Sequence, residues 1–246
     1  MVAYQLALRR CVQEGVDGIA LLGDLSQSGD DESLEAGVRM AAETGRTVWA
    51  VSGDHDCFKR ADALPGAVRL VGADNVRLAA PAGEVVEGGL RIAGFSVTIG
   101  SRSYAAGPGG KPDVSSWGDD LVAWLTHFPM ISFSEEVSRA GLTYGNNLED
   151  LEEVARPLLE RSAPTVVVHG HIHLRNARVE ETVLQISCQG LVEPPFEVVL
   201  LDLEPESDRM LVRAESVALA PSLSVRLPTF SPPRREWVFE AGAWRS

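Results

Sequence analysis

"TVVVHGHIH", residues 165–173, carries a run of β-branched residues into three histidines at alternate positions. Thr165, Val166, Val167 and Val168 have the composition of a buried strand. Gly170 interrupts it, leaving His169, His171 and His173 bunched at its end. Imidazole is a common metal ligand, so a histidine row at a strand terminus directs attention to the other strand ends.

Those ends match. "GIALLGD" (18–24) is a short apolar run that stops at Asp24, and "TVWAV" (47–51) leads into "SGDHD" with Asp54, His55 and Asp56. "LVAWLTHFP" (121–129) stops at His127. All five histidines of the chain sit at such ends. Helical periodicity fills the spaces before and between them. Residues 2–14 place Tyr4, Leu8, Cys11 and Val12 on one face. The segment 28–45 does the same with Leu34, Val38, Ala41 and Ala42, has acidic residues in its first turn, and is closed by Gly45. Residues 148–162 turn Leu151, Val154, Leu158 and Leu159 inward, with Pro157 as a kink or boundary.

Alternating helices and strands predict an α/β fold with parallel pairing. Strand C-termini then converge on one sheet edge, where ligands bind. The mixed oxygen and nitrogen donors gathered there suit Mn, Zn or Fe better than Ca or Mg. Elsewhere, strand-length runs separated by Gly and Pro over 75–100 predict hairpins, and the Gly-, Pro- and Ser-rich stretch 101–118 predicts an exposed loop. Residues 1–220 read as one domain and 221–246 as an irregular tail.

The chain has 246 residues, 45% of them hydrophobic, which suffices for one substantial core. Its formal net charge of −13 disfavours duplex nucleic acid as a partner. No apolar run approaches the roughly 20 residues that cross a bilayer, so no membrane partner is expected. The first residues place arginines after a short apolar stretch, the reverse of a secretory signal. Cys11, Cys57 and Cys188 form no CxxC pair and read as thiols of a reducing cytoplasm.

The ordered set GD (23–24), GDHD (53–56), THFP (126–129) and HGHIH (169–173) resembles the calcineurin-like metallophosphoesterase family. The resemblance implies a four-layer αββα sandwich of two mixed β-sheets flanked by helices. It also implies two metals bridged by a carboxylate, and a bridging hydroxide that attacks a phosphate ester in line. By position, Asp24 matches the bridging carboxylate, His127 and His171 match ligands of the second metal, and His173 matches a ligand of the first. His55 matches the histidine that contacts phosphate and assists the leaving oxygen, with Asp56 placed to orient it.

Two features depart from the family pattern. No strand ending in Asp-x-His precedes Asp24 in these residues, which reads either as a true loss or as a start placed too late, and Asp54 stands where the family has Asn. The second-metal site retains Asp24, Asp54, His127 and His171, whereas the first keeps only Asp24 and His173. The expectation is one tightly bound ion and a second weak one, acting on a small phosphate ester, most readily a diester. Loss of hydrolysis in favour of a scaffold role is the rival reading. A strand missing from the middle of a sheet leaves backbone groups to be paired. The tail or a second subunit would pair them, which makes a homodimer an expectation too.

Overall fold

The computed structural model describes residues 2–57, 62–86, 89–107, 111–142, 148–192, 194–205, 209–220 and 230–246. Its first half alternates as expected. Helix α1 (Val2–Glu14) is followed by β1 (Gly18–Leu22), α2 (Asp31–Ala42), β2 (Thr47–Val51), α3 (Leu64–Val71) and β3 (Val76–Leu78). The three strands form one parallel sheet in the order β1-β2-β3. Asp30 caps α2 by accepting from the Ser33 amide, which satisfies one of the helix's free N–H groups. Leu34, Val38 and Ala41 of α2 pack with Leu8 of α1 and Leu64 of α3 onto Ile19, Val48 and Val76 of the sheet. Val12, expected inward, is 40% exposed.

A second sheet has six strands in the order β10-β11-β9-β8-β5-β4. These are β4 (Glu84–Val85), β5 (Leu90–Gly94), β8 (Leu121–Thr126), β9 (Thr165–His169), β10 (Asn176–Glu180) and β11 (Val183–Ser187). β8 and β9 are buried at every position, which is why both read as unbroken apolar runs. A small hairpin of β6 (Val97–Ile99) and β7 (Tyr104–Ala106) lies apart. Helices α4 (Ser134–Arg139) and α5 (Leu151–Leu159) precede β9, and α5 retains Pro157 within its span. Val154 and Leu158 of α5 pack with Trp117 and Trp124 on one face of the six-stranded sheet.

The other face of that sheet meets a third group of strands. These are β12 (Glu197–Pro205), β13 (Arg209–Ala218), β14 (Arg234–Glu240) and β15 (Ala243–Arg245), antiparallel in sequence order. Val166, Val168 and Ile186 share one core with Val51 of β2 and with Val212, Trp237 and Trp244. The parallel three-stranded sheet and the antiparallel four-stranded sheet thus lie in one layer. With α1–α3 outside it and α5 beyond the six-stranded sheet, the layers run helix, sheet, sheet, helix.

Three expectations are corrected. The tail is not irregular over 234–245. β14 pairs with β13 and β15 with β14, because Trp237, Phe239 and Trp244 supply apolar faces that complete the inter-sheet core; residues 221–229 lie outside the described segment. The 75–100 region is only in part hairpins. β4 and β5 are antiparallel neighbours, but β3 runs parallel to β2 and β5 parallel to β8. The 101–118 loop contains β7 and a fully buried Trp117, and the Glu149 carboxylate accepts the amides of Ser101, Arg102 and Ser103.

The C-terminal strands do not pair with β1. β1 and β12 are both end strands of their sheets among the described residues. A groove of about 660 Å³ runs between the α1–β1 turn and β12–β14, lined by Glu14, Val16, Leu200 and Leu201 among others.

Candidate metal centre

The ends of β1 and β2 in one sheet meet the ends of β8 and β9 in the other, through the residues that follow them. His127 follows β8 and is 2% exposed. Its Nδ1 lies 2.7 Å from the Leu22 carbonyl at the end of β1. That acceptor requires a proton on Nδ1 and directs the Nε2 nitrogen into the site. Nε2 is 2.9 Å from Asp54 Oδ1 and 3.4 Å from Asp24 Oδ2. His171 Nδ1 is 3.4 Å from the same Asp54 oxygen. Asp54, His127 and His171 offer one ligand atom each, all within 4.8 Å of one another.

These spacings test whether the residues fit an ion. Ligands at about 2.1 Å in tetrahedral array lie roughly 3.4 Å apart. The observed separations have that scale, and two imidazoles with a carboxylate are a transition-metal donor set. Asp24 Oδ2 approaches His127 Nε2 at 3.4 Å but lies outside that three-residue group. The group fits.

Two glycines make the close approach possible. A Cβ on Gly23, which has φ 91°, would lie 2.5 Å from His127 Nδ1 and 2.6 Å from the Gly53 amide. A Cβ on Gly53 would lie 2.1 Å from Asp24 Oδ1. Asp24, His171 and His173 also hold positive φ, at 56°, 60° and 50°. Such strain in non-glycine residues concentrates where a site over-determines the backbone.

The electrostatics follow from burial and pairing. Burial opposes ionisation of Asp54, but hydrogen bonds from His127 and His171 and their charge outweigh it and hold the carboxyl well below the usual range. Burial likewise opposes an imidazolium at His127. The Asp24 charge, the bond to Asp54 and the charge behind it raise His127 to about 9 instead. Without a cation, a proton on His127 therefore offsets part of the charge of the two carboxylates.

Asp56 has a different task from the one expected. Oδ2 accepts the amides of Asp24 and Gly53, each at 2.9 Å, and Oδ1 accepts the Ser26 amide at 3.0 Å. It holds the two ligand-bearing loops together and does not orient the His55 ring. Its carboxyl is raised to about 6, mainly by burial; the amides oppose the rise and the Asp24 charge adds to it. The ring of His55 instead meets Gln27. Nδ1 is 3.0 Å from the Gln27 carbonyl and 3.1 Å from its side-chain amide. The His55 amide donates to Asp24 Oδ1 at 3.1 Å.

His173 lies outside the three-residue group, packed against Gly190, where a Cβ would come 3.0 Å from the ring. His169 is fully buried beside Phe133, and burial chiefly pushes it down to about 3, so it is a neutral packing residue. Two residues that the sequence reading missed support the site, Gln27 and Gln185. Gln185, on β11, takes the Met130 and Ile131 amides at 2.6 and 2.7 Å and returns a bond to the Ile131 carbonyl at 2.7 Å. It fixes the loop after His127. A lone glutamine has no distinguishing sequence signal.

The comparisons with known proteins agree with this geometry. A model of the calcineurin-like phosphoesterase family matches residues 3–175. No curated protein sequence matches the chain. Among solved structures, a dimetal phosphatase from Danio rerio superposes with a TM-score of 0.59 at 15% identity, covering 90% of this chain and 89% of the other. A Thermus thermophilus protein, TT1561, gives 0.56 at 13% identity, covering 89% and 93%. At those identities the structural likeness speaks for the fold alone, whereas the family model spans well over half of the sequence, including every strand end described above. The chain is a member of the calcineurin-like phosphoesterase family, a family of metal-dependent phosphoester hydrolases.

Proposed function

We propose that this hydrolase acts on phosphodiesters, using one tightly held Mn, Zn or Fe ion and a second, weaker one. The observation that carries the reading is the convergence of Asp54, His127 and His171, with Asp24 alongside. Two carboxylates balance one divalent ion, so the main site is neutral and self-sufficient. His173, outside the group, is the ligand left for the weaker ion.

A bound ion of this kind polarises a phosphoryl oxygen and lowers the pKa of water from 15.7 to about 7. The chain supplies the rest. Leu22 holds His127 so that Nε2 presents a lone pair. Asp56 keeps the Asp24 and Gly53 loops at fixed separation. The Gln27 carbonyl takes the Nδ1–H of His55, so that the imidazolium form, with its second proton on Nε2, would deliver that proton to the leaving oxygen and become neutral. General acid assistance of that type contributes roughly 10²–10⁴-fold. A monoester brings one more negative charge than a diester, and a site already near neutral compensates it poorly.

The test is turnover of bis(4-nitrophenyl) phosphate against 4-nitrophenyl phosphate with Mn or Zn, alongside metal counted per chain. Diester turnover should be faster, with one ion held tightly. Faster monoester turnover, or two equally tight ions, overturns the reading.

A further inference from the structure

We propose that the Tyr104 hydroxyl donates a hydrogen bond to a phosphoryl oxygen of the ester held at the candidate metal centre. The inference rests on the phosphoesterase reading and adds a substrate contact from outside the strand-end motifs. The β6–β7 hairpin packs against the turn at His55–Cys57, where Cys57 Sγ donates to the Val97 carbonyl at 3.1 Å. Tyr104 opens β7 and pairs with Ile99 across the hairpin. Its carbonyl accepts the Glu149 amide at 2.7 Å, which pins the backbone. The ring centroid is 6.1 Å from Phe128, and Phe128 is 4.2 Å from His171. One buried ring thus separates Tyr104 from a candidate ligand.

The side chain is half-buried, and its hydroxyl has no hydrogen-bond partner among the described residues. Burial first, and then the charges of Asp54, Cys57 and Asp24, raise its pKa. The hydroxyl therefore stays protonated and serves as a donor. An anionic phosphoryl oxygen is the acceptor such a donor pairs with best.

Tyr104→Phe keeps the ring contact with Phe128 and removes only the oxygen. In the full chain, the readouts are Mn affinity by calorimetry, inorganic phosphate affinity of the Mn-loaded protein, and kcat/KM for bis(4-nitrophenyl) phosphate. The variant should bind Mn within about twofold of wild type, while phosphate affinity and kcat/KM each fall about tenfold, the scale of one charge-assisted bond. A structural role would instead weaken Mn binding or lower the unfolding midpoint. Unchanged phosphate affinity in a variant of an active wild type removes the contact and leaves the phosphoesterase reading standing. A wild-type chain that neither binds phosphate nor cleaves either aryl ester with Mn or Zn removes both.

Discussion

Replacing Asp56 separates its loop-holding role from a catalytic one. The side chain is fully buried and accepts three backbone amides. The bonds from Ser26 and Gly53 are wholly buried and the one from Asp24 partly so. An amide left unpaired in the interior costs about 1–3 kcal/mol. Asp56→Ala therefore leaves two full penalties and part of a third, and water entering the vacated space softens them. A loss of about 3 kcal/mol is expected, a large share of the roughly 5–15 kcal/mol of a typical domain. Asp56→Asn should lose about half as much. Its one oxygen can still serve Asp24 and Gly53, but its NH₂ faces the Ser26 amide donor to donor. The assay is urea unfolding at pH 8, where the carboxyl, raised to about 6, is ionised. Mn affinity should fall in the same order, wild type, Asn, Ala, because the Asp24 and Asp54 loops lose their common anchor. An Ala variant within about 0.5 kcal/mol of wild type, with Mn affinity unchanged and turnover lost, would refute the argument and return Asp56 to the role of orienting His55.

Other perturbations address the same site. His127→Ala should abolish tight metal binding while His173→Ala retains most of it, as read by calorimetry; equal losses would mean that the two belong to one set. Metal must displace the Nε2 proton of His127, whose pKa is raised to about 9. Apparent affinity should therefore rise about tenfold per pH unit from pH 7 and level off above 9; a pH-independent affinity contradicts that competition. Gly23→Ala places a Cβ 2.5 Å from His127 Nδ1 at a positive φ. It should cost more than about 2 kcal/mol in urea unfolding and weaken metal binding with it. Gln185→Leu removes three bonds to the loop after His127, and should lower both the unfolding midpoint and metal affinity, with Gln185→Glu recovering only part.

The strands that carry the site, and the order of its ligands along the chain, were legible in the residues alone. β8 and β9 are buried at every position and β1 and β2 only in part, but all four are short apolar runs, and each is followed by a polar residue that stands out. Parallel pairing brings the ends of β1 and β2 together and those of β8 and β9 together, but only the packing of the two sheets brings the two pairs to one place. Which groups touch was settled by the assembled fold. That Asp56 serves three amides from two loops, that Gln27 meets His55, and that Gln185 braces the loop after His127 are contacts between residues 3 to 55 positions apart, with no periodicity to announce them. The pairing of β14 and β15 escaped the sequence reading for a related reason. Prolines before them suggested a tail, and only the open inter-sheet core showed what Trp237, Phe239 and Trp244 are for. Local pattern locates a strand, because burial repeats along it; what a side chain does at the strand's end depends on partners that only the packed sheets bring near.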